Sequence, residues 1–275
     1  MKGITRIVTV LLAISTLVTV TACGTATAAD NGKNTDGTQT VNVGTMGTYS
    51  PYSYQDEQGN YTGYDLEVVK KIGEIDKGLK FEIKAGSWDS LFPALDAGKD
   101  QMLAQQIVST PERESKYYLT KTPYFLSTSQ IIAKKGTTGV NSLKDLKGKT
   151  IGMTVGDGFT KFVDDWNAKN GNILTIKYYK EDITTILRDI AAGRIDATVN
   201  DPAVAVSKAK LQGIEVEPIG KPLEQQPTYF IFKKNEQGKQ LRDRVDKALQ
   251  KLSEDGTLSE LSIKWFKKDY TKKNS

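Results

Sequence analysis

An α/β fold with mostly parallel sheets is the architecture this chain predicts, and three observations point to it. Short apolar or alternating runs are interleaved along the chain with segments whose apolar residues recur every three or four positions. Capping residues and glycines stand at the joints between those segments. Strands and helices taking turns in this way pack as helices on a mostly parallel sheet. Ligands of such sheets sit beyond the carboxyl ends of the strands. Three segments occupy such ends: residues 47–52, residues 156–159, and Asn200 with Asp201.

Each element has a local reason. Val41, Asn42, Val43 and Gly44 form a short alternating strand. Gly63, Tyr64 and Asp65 lead into a helix that places Val68, Ile72 and Ile75 on one face. Residues 79–83 read as a strand. Asp89 or Ser90 then caps a short helix with Leu91, Ala94 and Leu95 inward and Gly98 at its end, Pro93 falling in the first turn. Residues 124–134 are a long extended segment of aromatic and β-branched residues. Ser142 to Asp145 has the pattern of a capping box opening a short helix. Residues 150–153 form a buried strand. The Gly156, Asp157, Gly158 turn follows, and then a helix with Phe159, Phe162, Val163 and Trp166 on one face. Asp182 caps a helix striped with Ile183, Ile186, Leu187 and Ile190, and Gly193 closes it. Residues 197–199 are a strand ending at Asn200, Asp201 and Pro202. Leu241, Val245, Ala248 and Leu252 mark a long helix, and Leu258, Leu261 and Trp265 a last one.

The N-terminus has its own logic. Lys2 and Arg6 precede an apolar stretch over residues 7–20, and Thr21, Ala22 and Cys23 follow, the pattern of a secretory signal. The stretch is shorter than the roughly 20 residues that span a bilayer. Cys23 is the only cysteine in the 275-residue chain, so no intramolecular disulfide can form. Residues 24–38 are small and polar without an apolar period and read as a flexible spacer.

Composition excludes several chemistries. There is no histidine, which rules out a Ser-His-Asp triad, a Cys-His pair and a His-ligated zinc site. No cofactor or metal is expected, and enzymatic function is disfavoured. Lys plus Arg is 38 against 33 for Asp plus Glu. Removing Lys2 and Arg6 with the leader leaves 36 against 33, a mild excess. No basic cluster of the kind that holds nucleic acid appears. The tail with Lys267, Lys268, Lys272 and Lys273 is a solvated face or a feature that favours an anionic surface.

The order of motifs resembles the family 3 extracellular solute-binding proteins of ABC amino-acid importers, from about Val41 to Lys268. Six residues from Gly63 to Val68 are similar to the family signature. Thr48 to Tyr52 and Trp88 to Leu91 resemble its first two cleft loops. Thr110, Pro111, Glu112 and Arg113 resemble the segment with the carboxylate-binding arginine. Gly193 to Ala197, followed by Asp201, resembles the amine-binding end. Asp255 to Leu258 with Lys264, Trp265 and Phe266 resembles the C-terminal ending. Cys23 after Val20, Thr21 and Ala22 resembles the bacterial lipobox, which implies cleavage before Cys23 and lipid on its thiol. An ordinary signal peptide with an incidental cysteine is the other reading.

The resemblance implies two Rossmann-like α/β lobes joined by two hinge strands, the type II periplasmic-binding-protein architecture. The boundaries are residues 1–22 for the signal, 23–38 for the tether, 39–125 plus 228–275 for lobe one and 126–227 for lobe two. Hinge crossings fall near 124–127 and 227–229. Ligand contacts are implied at Tyr49, Trp88, Gln105, Gln106, Val108, Arg113, Gly158, Phe159 and Asp201. Arg113 suits a carboxylate, because its planar fork donates two parallel hydrogen bonds; alone, it also fits an exposed arginine at a helix start. Asp201 suits an ammonium, and equally a turn aspartate before proline. Tyr49 and Trp88 suit aromatic walls, though tryptophan is commonly a core residue.

Asp157 departs from the small hydroxyl residue more usual in the family, so its charge is expected to cap the helix and compete with a ligand carboxylate at Gly158. Relatives that take lysine or arginine carry an acid where this chain has Met46. Gln105 and Gln106 offer neutral donors and acceptors, and residues 44–49, 88–90 and 179–185 resemble the cystine-binding branch most closely. The resemblance thus implies cystine or another polar neutral amino acid as ligand, with an ABC permease as partner, a membrane tether through Cys23, and a monomeric state. A cyclohexadienyl-dehydratase-like enzyme using cleft carboxylates is one competing use of the fold. An adhesin for host mucus or matrix is another.

Overall fold

The computed structural model describes residues 37–272. The expected signal (1–22), Cys23 and all but the last two residues of the tether lie outside the described residues. The chain opens with β1 (Gln39–Thr45) and a small antiparallel sheet of β2 (Thr48–Tyr49), β3 (Ser53–Gln55) and β4 (Tyr61–Thr62). There follow α1 (Tyr64–Ile75), β5 (Leu79–Ala85), α2 (Trp88–Asp96), β6 (Met102–Val108), α3 (Pro111–Lys116), β7 (Tyr117–Leu119) and β8 (Phe125–Lys134). A short 3-10 helix (Leu143–Leu146) precedes β9 (Thr150–Thr154), α4 (Gly158–Lys169), β10 (Thr175–Tyr179), α5 (Ile183–Ala191), β11 (Ala197–Asn200) and α6 (Pro202–Gln212). The long β12 (Val216–Lys233) leads to α7 (Glu236–Glu254) and α8 (Thr257–Phe266).

The α/β class predicted from the alternation is the class observed, but the sheet is more mixed than expected. Its order is β10-β9-β11-β8-β12-β6-β1-β5, with β7 also on β12. Both flanks are parallel: β10 with β9, β9 with β11, β6 with β1, and β1 with β5. The centre is antiparallel, because β8 and β12 run opposite to each other and to their outer neighbours. The two expected crossing segments lie side by side there, with Phe125 opposite Thr228 and Ser127 opposite Gln226.

One boundary and one whole helix differ from the sequence reading. Ser87 is extended (φ −72°, ψ 154°) and α2 starts at Trp88, so Pro93 is inside the helix rather than in its first turn. The helix α6 is absent from the sequence reading. Val204, Ala205 and Ala209 are buried while Val206 and Leu211 are exposed, so its apolar residues encircle the axis and leave no stripe to read.

Capping is where local chemistry was legible. Thr110 accepts from the Arg113 N–H at 3.2 Å, Asp182 from Thr184 at 2.9 Å, and Ser142 with Asp145 closes the anticipated capping box. Burial holds the frame together. One apolar cluster gathers Val41, Val43, Val68, Ile72, Phe230 and Phe232 with α7 and α8 residues. A second surrounds Ile151, Met153, Phe159, Val163 and Val199. A third puts Leu91 and Leu95 against Leu103, Ile107 and Ile231.

Candidate functional site

Strand ends converge on one cavity of about 40 Å³. The loop after β1 contributes Met46, β2 contributes Tyr49, and the first residue of α2 is Trp88. From β6 come Gln105, Gln106 and Val108, and from α3 comes Arg113. The junction of β9 with α4 supplies Thr154, Asp157, Gly158 and Phe159. Eight of the nine contacts expected from the sequence thus line one space. Asp201 does not, although its neighbour Asn200 does.

Arg113 is 7 % exposed, on a six-residue helix that Thr110 caps and Pro111 opens. Its Nη1 donates to the Val108 carbonyl and its Nη2 to the Gly156 carbonyl, both at 2.8 Å. Its guanidinium carbon lies 5.7 Å from the Trp88 ring centre and 5.4 Å from that of Phe92, within cation–π range. Among the described residues it takes part in no ion pair. A buried cation with no carboxylate partner is costly unless something compensates. Burial lowers its pKa, but an arginine stays charged throughout.

Opposite it, Asp157 caps α4, accepting from the Phe159 N–H at 3.1 Å. Burial pushes its carboxyl above the usual range, opposed by that hydrogen bond and by Arg113. The capping role foreseen for its charge is therefore present. A methyl group placed on Gly158 would stand 2.1 Å from Cγ2 of Val108 and 3.8 Å from Nη1 of Arg113, so glycine is what lets these surfaces meet. Trp88 is half-buried and donates from its indole N–H to the Val155 carbonyl at 3.2 Å.

The two glutamines are anchored in different ways. Oε1 of Gln105 accepts from the Met46 N–H (2.7 Å), the Thr45 hydroxyl (2.8 Å) and the Ser53 hydroxyl (3.0 Å). Gln106 donates from its backbone N–H and its Nε2 to the two oxygens of Asp65, at 3.0 and 2.6 Å. Asp65 is fully buried, and burial raises its carboxyl to about 7 against the pull of those donors.

Asp201 is buried and caps α6. Its Oδ1 accepts from the Ala203 and Val204 N–H groups at 2.8 and 3.2 Å, and its Oδ2 from the Tyr52 hydroxyl at 2.9 Å. Burial raises it to about 6. Tyr52 stacks on Tyr49 at 5.9 Å, and the Tyr49 hydroxyl comes within 3.5 Å of Asn200 Oδ1.

Sequence reasoning missed Ile107, Ser127, Thr154, Asp182 and Ile183 as lining residues. Asp182 was recognised as a cap but not as part of a site. It follows β10, and the strand-end rule that selected residues beyond β9 and β11 would have selected it too. Its Oδ2 is held by Lys208 at 2.6 Å, which ties the start of α5 to α6.

Comparison with known proteins agrees with this geometry. Residues 41–268 match the bacterial extracellular solute-binding proteins, family 3. The chain is 34 % identical over 264 residues to a probable amino-acid-binding protein, YxeM, of Bacillus subtilis, covering 96 % of each chain. It is 32 % identical over 272 residues to the L-cystine-binding protein TcyK of the same organism, covering 99 % of each. A solved structure described as a putative L-cystine ABC transporter from Listeria monocytogenes superposes with a TM-score of 0.74 at 31 % identity, over 86 % of this chain and all of that one. The chain belongs to the bacterial extracellular solute-binding proteins of family 3.

Proposed function

We propose that the protein captures a free amino acid, cystine or another polar neutral one, and delivers it to an ABC import permease. The observation that carries this reading is Arg113: a buried guanidinium at the cavity wall, held by two carbonyls and two aromatic rings, with no carboxylate in ion-pair range among the described residues. A ligand carboxylate supplies the missing charge through a bidentate contact. Asp201, outside the cavity but next to its lining residue Asn200, provides the counter-charge for the ammonium once the walls part, and Tyr49 and Trp88 wall off water.

Capture uses two lobes, residues 39–125 with 228–275 and residues 126–227, hinged where β8 and β12 run side by side. Among the described residues four side-chain hydrogen bonds then span the lobes: Trp88 to Val155, Arg113 to Gly156, Tyr49 to Asn200 and Tyr52 to Asp201. The enclosed space of about 40 Å³ is far below the roughly 300–1,000 Å³ of ligand pockets, so the walls must part to admit a ligand. Hinge motion of this kind is the usual means. A lipid on Cys23 holds the mature protein at the outer face of the cell membrane.

The test is a thermal-shift screen of the full chain against the proteinogenic amino acids and cystine. Ligand at about a hundred times its Kd stabilises the fold by about 2.7 kcal/mol. A shift lost in Arg113→Ala is expected. No shift with any amino acid overturns the reading.

A further inference from the structure

We infer that Gln105 and Gln106 select the ligand's side chain, and that they select one ending in an N–H donor beside a carbonyl or carboxylate acceptor. This inference rests on the amino-acid reading of the cavity and deepens it. Consecutive residues of a regular strand point to opposite faces, yet these two line the same cavity. The backbone explains how. Gln106 has φ +49°, in the left-handed region that non-glycine residues seldom occupy. Between Ile107 and Leu103, four residues of β6 pass while β12 advances by two, from Tyr229 to Ile231. This irregularity re-aims side chains, as bulges beside functional sites do. The Asp65 carboxylate holds it in place by grasping both the backbone and the side chain of Gln106.

Each amide has one end anchored and one end without a partner. Oε1 of Gln105 is surrounded by donors, one of them the backbone N–H of Met46, so the amide cannot flip without losing them. Its Nε2 is left with no hydrogen-bond partner, on a residue 3 % exposed. In Gln106, Nε2 is taken by Asp65, and Oε1 has no partner, on a residue 9 % exposed. Buried polar groups are nearly always paired, so two such atoms at one cavity call for an explanation.

Both residues line the cavity while these two atoms stay shielded from solvent, so a ligand that enters as the walls part meets a fixed donor from Gln105 and a fixed acceptor from Gln106. A carboxamide satisfies both, and so does a second amino-acid head, with its carboxylate and ammonium. An aliphatic side chain leaves both orphaned. A carboxylate side chain lacks the donor for Gln106, and an ammonium or guanidinium lacks the acceptor for Gln105. Sites built to hydrogen-bond a substrate group reject analogues without it strongly, because their own buried groups are then unpaired.

Calorimetric titration of the full chain with L-glutamine, L-cystine, L-leucine, L-glutamate and L-lysine tests this. L-glutamine or L-cystine is expected to bind at least about tenfold more tightly than the other three, a difference of about 1.4 kcal/mol. Gln105→Glu keeps an acceptor for Met46 and replaces the free donor by an acceptor. It is expected to weaken the preferred ligand at least about tenfold and to improve L-lysine relative to it. Binding of leucine, glutamate or lysine as tightly as both preferred candidates overturns the inference and leaves the amino-acid reading standing. Binding of none of the five, nor of any proteinogenic amino acid, overturns both. The panel on the unaltered protein decides the matter if Gln105→Glu does not fold.

Discussion

Gly158→Ala tests the proposed lobe closure separately from folding. The added methyl would sit 2.1 Å from Cγ2 of Val108, whereas ordinary contact begins at 3.4 Å. The shortfall is about 1.3 Å. Val108 is β-branched and 5 % exposed, so it has little freedom to rotate away. In the proposed two-lobed arrangement Val108 and Gly158 belong to different lobes, and the overlap is relieved by holding the lobes apart. Overpacking of this size costs about 1–3 kcal/mol, which corresponds to about 5- to 150-fold in affinity. That loss falls on the closed, ligand-bound state, and the melting temperature without ligand changes little. Val108→Ala deletes the offending carbon and leaves Cβ at 3.5 Å, an ordinary contact. The double variant is therefore expected to regain most of the affinity. Calorimetric titration and thermal melts of the two single variants and the double variant give the answer. Unchanged affinity in Gly158→Ala, or a lost affinity that Val108→Ala does not restore, refutes the reasoning.

Further variants probe the other groups. Arg113→Ala is expected to weaken amino-acid binding about 10- to 100-fold or more, since hydrogen bonds to charged groups contribute about 1.5–3 kcal/mol each. Arg113→Lys should not rescue it, because an ammonium lacks the planar fork; near-normal binding in Arg113→Lys would count against a bidentate contact. Tyr52→Phe keeps the buried ring and deletes the hydroxyl that reaches Asp201, and a loss of about 1–3 kcal/mol in denaturant melts is expected. Asp65→Asn tests linkage. Burial holds Asp65 at about 7 against 3.8 ordinarily. Between those values the folded chain keeps a proton that the unfolded chain has released, so the Asp65 contribution to stability falls as pH rises from about 4 to about 7. Denaturant titrations across that window should show this decline in the wild type and a shallower one in Asp65→Asn. Parallel curves would show that Asp65 does not titrate there.

The sequence by itself determined the elements whose signals are local. Caps at Ser142, Asp157 and Asp182, the apolar stripes of α1, α5 and α7, and the turn before Gly158 depend on neighbours a few residues away, and they fold as read. The resemblance of short motifs was enough to bring eight of nine candidate contacts to one cavity, because those residues lie at strand ends, where the topology of an α/β sheet collects them. Tertiary structure decided what depends on distant partners. Asp65 reads as an ordinary first-turn acid of α1, which usually faces solvent; only the packing of α1 against β6 buries it and turns it into the anchor of Gln106. The left-handed backbone at Gln106 has no local cause such as a glycine, so no sequence pattern announces that two successive residues line one cavity. Gly158 reads as turn chemistry, whereas its lack of a side chain is required by Val108, fifty residues earlier and across the cavity. Local hydrogen bonding and periodicity are encoded within a few residues. Close approach, burial of charge and the aim of a bulged side chain exist only once the sheet has brought its strands together.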